Sequence, residues 1–199
     1  MLNIVLPNTC IYGQALTKIV AKKLTIAESG FWAMAKTVSS SRIIGIDPGS
    51  RITGYGIIDI CGAEFQFVSC GVVKSTPSQK FPQRLKELYD GVNAVVREHK
   101  PTCAAVEDIF FAKNPMSALK LGQARGAIIM ALMTNHLLVD EFTAKQVKQA
   151  VAGYGQASKA QVQHMVRVLL GLTSSPSEDA SDALGVAICL ANHLGGQLK

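Results

Sequence analysis

Four acidic residues stand where this chain could do chemistry. Asp47 closes the apolar run Ile43-Ile44-Gly45-Ile46 and is followed at once by Pro48-Gly49-Ser50. The three β-branched isoleucines read as a buried strand, and Pro48-Gly49 forces a turn. In α/β folds a carboxylate at the C-terminal end of a strand faces the crevice that the loops leave open. The other reading is a turn cap, with Asp47 making an Asx-type hydrogen bond; at this point both stand. Glu107 repeats the design at the end of Thr102-Cys103-Ala104-Ala105-Val106, where the plain alternative is a solvated strand end. Asp179 and Asp182 are three residues apart, on one face of a helix that is otherwise apolar through Ala180, Ala183, Leu184, Ala187 and Ile188. Acids on such a helix are costly unless something positive meets them. Placement near a helix N-terminus explains Asp179 better than Asp182. Ser175-Pro176-Ser177-Glu178 has the S-x-x-E pattern of a capping box, which assigns Glu178 a structural job.

The elements that must hold these acids follow from periodicity. Arg42 to Asp47, Thr53 to Ile60 and Glu64 toward Val73 read as three strands, with Cys61-Gly62-Ala63 as a hairpin turn, so they predict an antiparallel meander. Phe81 to His99 carries Leu85, Leu88, Val92, Val95 and Val96 at helical spacing and ends at Lys100-Pro101. A helix between strands makes the fourth strand, ending at Glu107, a natural parallel partner of the first. Asp47 and Glu107 would then share a sheet edge. A long helix follows from Met116 to about His136. Its Gly122 and Gly126 suit either core packing or a helix–helix dimer contact. Leu137-Leu138-Val139 reads as a fifth strand. Thr143–Gln146 and Ser158–Gln161 match capping boxes for two short helices, Ala144 to Val151 and Lys159 to Leu170.

Composition narrows the function classes. With 199 residues, 48% of them hydrophobic, the chain has room for one domain with a sizeable core, or one domain plus an appendage. A net charge of +6 and a pI of about 9.1 favour a polyanionic partner. The five cysteines follow no pairing pattern and the four histidines no zinc spacing, which fits a reducing, cytoplasmic setting and argues against a zinc site. The apolar run Ala127 to Met133 is far too short to span a bilayer. From Phe142 through Ser177 the chain has no acid but carries Lys145, Lys148, Lys159 and Arg167. The stretch between Asp108 and Asp140 is likewise acid-free and holds Lys113, Lys120 and Arg125. Lysines usually mark a solvated face, but long acid-free stretches beside clustered carboxylates suit phosphate contacts. Phe110-Phe111, shortly before Lys113, form either a core-anchored loop or an exposed stacking wedge. Residues 1–41 read as a weakly ordered N-terminal extension, with a docking helix as the alternative. Residues 42–194 read as the folded domain and 195–199 as a short tail.

Three antiparallel strands, helix, strand, helix, strand and further helices is the order of the ribonuclease H-like fold. The specific motifs are Gly45-Ile46-Asp47-Pro48-Gly49-Ser50 with Thr53-Gly54-Tyr55-Gly56, Glu107 with Phe110 and Ala112-Lys113-Asn114, and Ser117 through Gly126. They continue with Gln146-Val147-Lys148-Gln149 and Asp179-Ala180-Ser181-Asp182-Ala183-Leu184. Together and in order these resemble the RuvC family of bacterial Holliday-junction resolvases over roughly three quarters of the chain. The resemblance implies an α/β fold with a five-stranded mixed sheet, three strands antiparallel and then two parallel, flanked by helices. It implies a homodimeric endonuclease that cuts four-way DNA junctions by paired symmetric nicks, with catalytic, metal-holding acids Asp47, Glu107, Asp179 and Asp182. Some family members place a histidine at the Asp179 position, so that residue need not be a pure metal ligand. Phe110, Lys113, Lys148 and Lys159 would contact DNA, and the helix around Ser117 to Leu132 would form the dimer. A branch-migration complex of RuvA and RuvB type is the expected partner. The chain departs from the pattern in its 41 leading residues and in lacking a long basic tail.

The chemistry suits that reading. Two unit charges about 4 Å apart at an effective dielectric of 20 repel by about 4 kcal/mol, so four carboxylates in one pocket cannot all stay ionised without cations. Hard oxygen ligands select Mg²⁺, with Mn²⁺ as substitute, and two ions per subunit would serve phosphodiester hydrolysis to 5′-phosphate and 3′-hydroxyl ends. Gly-Ile-Asp-Pro-Gly-Ser also resembles the first phosphate loop of actin-like ATPases and sugar kinases. Those proteins need two such domains, and the regular part of this chain provides one.

Overall fold

The alternation of side chains along the first strand decides where Asp47 looks. In the computed structural model, which describes residues 40–62, 64–108 and 114–197, strand β1 (Ser40–Asp47) pairs antiparallel with β2 (Ile52–Cys61). Strand β2 pairs antiparallel with β3 (Glu64–Lys74). Helix α1 (Phe81–His99) then returns the chain to β4 (Cys103–Asp108), parallel to β1, and helix α2 (Pro115–Thr134) leads to β5 (Leu138–Thr143), parallel to β4. Among the described residues the sheet order is β3-β2-β1-β4-β5. This is the expected ribonuclease H-like arrangement.

Successive strand residues point to opposite faces. Ile44, Ile46, Ala104 and Val106 join the core under α1 and α2, with Val92, Val96, Ile128 and Leu132. Ile43 and Ala105 join the opposite core, with Leu184, Ala187 and Ile188. Two residues on from Ile43 and Ala105 by this parity, Gly45 with Asp47, and Glu107, lie on that second face. It is covered by α3 (Ala144–Ala152), α4 (Lys159–Leu169) and α5 (Glu178–Gln197). Both expected capping boxes are present: the Thr143 and Ser158 side chains accept from the Gln146 and Gln161 amides, and each glutamine answers the cap's own N–H. The fifth strand is longer than its apolar run, because parallel pairing to β4 carries it on to Thr143. Asp140 and Glu141 hid it from a hydrophobicity reading; an edge strand can expose such residues.

Helix α5 packs unusually close to the sheet. It is buried on nearly every side from Ala183 to Ala191, which its small residues permit. Beneath it lie Gly45 and Gly56, paired across β1 and β2, and Gly54, paired with Asp47. A Cβ built on Gly45 would stand 2.3 Å from the Ala183 carbonyl oxygen, and one on Gly54 2.0 Å from that of Asp179. One on Gly56 would stand 2.7 Å from the Leu184 Cα. In each case the obstacle includes backbone, which cannot rotate aside. Gly45→Ala should therefore push α5 off the sheet and destabilise the fold by about 1–3 kcal/mol or more. A shifted urea-unfolding midpoint with an unchanged slope is the expected reading, and a wild-type midpoint would contradict the close packing.

Candidate active site

The turn after Asp47 is closed by another residue. The buried Thr53 hydroxyl donates to the Gly49 carbonyl (3.0 Å) and accepts from the Gly49 N–H (3.3 Å). The Ser75 hydroxyl donates to the Ser50 carbonyl (3.2 Å), and the Arg84 guanidinium from α1 also donates to that carbonyl. With Thr53 locking the turn, the Asp47 carboxyl is left to face the neighbouring strand. Its neighbour is fixed by register: Ile46 pairs with Val106, so Asp47 and Glu107 extend side by side from parallel strand ends.

The two carboxyls share a proton. Burial pushes the Asp47 carboxyl up to about 8, followed by the negative charges of Glu107 and Asp182, the hydrogen bond to Glu107 and the charge of Asp179. Glu107 is also raised, chiefly by burial; the proton it accepts from Asp47 and the nearby Lys159 and Lys148 moderate the rise. Asp47 is thus within electrostatic range of each of the other three acids singled out in the sequence. α5 supplies Asp182 at its second turn and Asp179 at its first, with the Asp179 backbone against Gly54.

Lys159, the first residue of α4, is the pocket's internal cation. Its Nζ lies 2.8 Å from Asp182 and 2.5 Å from Glu178. Burial opposes the charge on Lys159, but these two bonds outweigh it and hold the ammonium above its usual range. Asp182 is raised by burial, and Lys159 limits the rise. Glu178 does not complete a capping box with Ser175. The helix begins at Glu178, and the Ser181 N–H donates to the Ser177 carbonyl (2.9 Å). Glu178 is thus the first helical residue and cannot reach back as a residue at the third position would. Its carboxylate meets Lys159 instead.

At the far side of Glu107 stands Arg125 of α2. Its Nε donates to the Glu107 carbonyl (3.2 Å), and its fork contacts Asp108 (3.4 Å) and Glu141. The sequence marks Arg125 as a motif residue and a candidate phosphate contact, and Thr53 as a strand and motif residue; the structure adds the bonds of Arg125 to the end of β4 and of Thr53 to the Asp47 turn. Phe110 and Lys113 lie outside the described residues. Beyond Lys159, the seam between α4 and the start of α5 opens into a cavity of about 200 Å³ lined by Gln163, His164, Arg167 and Ser175, among others.

An all-oxygen, buried, mutually repelling donor set suits a hard divalent cation. Among the described residues no three acids, histidines or cysteines close into a ready cage. The shared proton of Asp47 and Glu107 and the ion pair of Asp182 with Lys159 compensate the charge in its place. This has a pH signature. A carboxyl raised on folding contributes stability that is fully present below the ordinary carboxylate pKa and lost as the pH climbs to about 8. In EDTA, Asp47→Asn should melt above wild type, with a gap that widens between about pH 5 and about pH 8 and then levels off. A gap that stays constant or narrows over that range would contradict the raised carboxyl.

The comparisons with known proteins converge on this arrangement. The family model described as crossover junction endodeoxyribonuclease RuvC matches residues 43–190. The crossover junction endodeoxyribonuclease RuvC of Acinetobacter baumannii is 56% identical over 157 residues, covering 79% of this chain and 86% of the relative. That of Burkholderia pseudomallei is 53% identical over 161 residues, covering 78% and 89%. Among solved structures, T. thermophilus RuvC in complex with Holliday junction substrate superposes with a TM-score of 0.74 at 34% identity, over 78% of this chain and 96% of that one. With its glycine-backed helix and its four coupled acids, the chain belongs to the RuvC family of crossover junction endodeoxyribonucleases.

Proposed function

We propose that this chain is a structure-selective endonuclease that resolves four-way DNA junctions by paired symmetric nicks, leaving 5′-phosphate and 3′-hydroxyl ends. The observation that carries the reading is the electrostatic coupling of Asp47 to Glu107, Asp182 and Asp179 in one pocket, within a chain more than half identical to named RuvC proteins. The solved relative bound to a Holliday junction supports the choice of substrate.

Asp47, Glu107 and Asp182 would hold magnesium, two ions per subunit, with manganese as substitute, and Asp179 would ligate or help place the water. Bound there, the cations supply the positive charge that activates a water on one side of the phosphodiester and stabilises the departing 3′-oxygen on the other. The chain's own residues do the rest. Thr53 and Arg84 keep the Asp47 turn rigid. Lys159 neutralises Asp182 and is placed to donate to a phosphate once that carboxylate is otherwise engaged. Lys148 acts on Glu107 from the same side. The cavity lined by Gln163, His164, Arg167 and Ser175 extends this polar, acid-free surface along the expected DNA path. Phe110 and Lys113 complete the DNA contacts, with Phe110 stacking on a base near the crossover for about 1–3 kcal/mol.

A homodimer suits a two-fold junction and two cuts. The outer face of α2 supports it: Met116, Leu119, Met130 and Met133 are exposed beside Gly122 and Gly126, which have open space where a Cβ would stand. A RuvA- and RuvB-type branch-migration complex and a cytoplasmic setting belong to the same proposal. Among the described residues no helix is long and apolar enough to cross a membrane. The phosphate-loop reading of residues 45–50 loses support, because the Gly49 N–H is already given to Thr53.

The test is Asp47→Asn on a synthetic four-way junction with Mg²⁺. Junction binding should survive, while cleavage falls by about 10³-fold or more, equivalent to about 4 kcal/mol of transition-state stabilisation. Comparable cutting by the variant would contradict the assignment.

A further inference from the structure

We infer that Arg125 is a positioning residue for the nuclease reaction: it fixes the end of β4, and with it Glu107, to the helix α2. The inference rests on the nuclease reading above. Three contacts carry it. The Arg125 Nε donates to the Glu107 backbone carbonyl (3.2 Å), while its fork faces Asp108 at 3.4 Å and also bonds Glu141. The Arg125 side chain is 19% exposed while Asp108 and Glu141 are 36% and 51% exposed, so the bond to the Glu107 carbonyl is the shielded one, where a charge-assisted bond is strong.

The placement matters because β4 loses its β1 partner here. Its last rungs, Glu107↔Phe142 and Asp108↔Thr143, are made to β5 alone, since the pairing to β1 stops at Val106. On the β1 side, the Glu107 backbone therefore has no strand partner where its side chain must meet Asp47. Arg125 supplies a constraint at this point. A guanidinium can hold a carbonyl and two carboxylates at once because its donors lie in a fixed planar fork; a lysine is a single point charge and cannot.

Arg125 also neutralises local charge. It pairs the carboxylates of Asp108, the last residue of β4, and of Glu141 in β5. The helix that carries Arg125 presents Gly122 and Gly126 outward on another face, so one element serves both the proposed dimer surface and the catalytic strand end.

The experiment compares wild type, Arg125→Met, Arg125→Lys and Glu141→Gln in single-turnover cleavage of a four-way junction with Mg²⁺, beside junction binding without cleavage. Displacement of a reacting group by about 1 Å costs about 10²-fold. Arg125→Met should therefore cut about 10–100-fold more slowly with junction affinity within about threefold of wild type, and Arg125→Lys should fall between them. Glu141→Gln keeps the bond to the Glu107 carbonyl and should cut within about threefold of wild type. If Arg125→Met does not fold, Arg125→Lys decides by the same criterion. Undiminished cleavage by a folded Arg125 variant would overturn the role, as would Glu141→Gln slowing as much as Arg125→Met or binding falling in step with cleavage. Failure of the wild-type chain itself to cut would overturn the nuclease reading and this role with it.

Discussion

The structure depends on the direct contact of a helix backbone with a sheet backbone. Helix α5 lies on Gly45, Gly54 and Gly56 so closely that a single methyl group on any of them would collide with helix main chain. That proximity brings Asp179 and Asp182 within electrostatic range of Asp47, which sits on the same face of β1 as Gly45. With ordinary side chains at the three glycines, the helix would stand further off and the acids on the helix and on the strands would lose their common pocket. The buried run from Ala183 to Ala191 then stabilises the contact over the rest of the helix.

Bringing the acids together creates a problem of charge. Carboxylates in a partly buried pocket repel one another by several kcal/mol per pair, and a fold of ordinary stability cannot absorb many such terms. The chain answers with a proton shared by Asp47 and Glu107 and with Lys159 paired to Asp182 and Glu178. Arg125 compensates Asp108 and Glu141 at the rim. The same electrostatic stress would favour a divalent cation over a monovalent one.

The acids were legible in the sequence because they break strong local patterns. Asp47 and Glu107 end β-branched or apolar runs, and the helix between the two strands implied a parallel pairing that puts both acids at one sheet edge. Asp179 and Asp182 interrupt an apolar helix. The caps at Thr143 and Ser158 were legible for the same reason, since a capping box is a contact within four residues. What escaped were contacts between side chains far apart in the chain. Glu178 carried a capping-box spacing but bonds to Lys159 across an interhelical seam, because the helix starts later than the motif implied. The turn-cap reading of Asp47 loses its ground to Thr53, whose hydroxyl bonds both the N–H and the carbonyl of Gly49. The length of β5 depended on pairing with β4, which its own polar residues concealed.

The charge of this pocket predicts proton-linked metal binding: a divalent cation entering it would displace the proton held between Asp47 and Glu107. The most direct measurement is calorimetric titration of Mg²⁺ into the full chain at pH 7, repeated in buffers of different ionisation enthalpy. With the Asp47 carboxyl raised to about 8, binding should release about one proton per subunit, and the release should fade as the pH is taken above 8. Magnesium binding at pH 7 with no proton released, or no binding at all, would contradict the account.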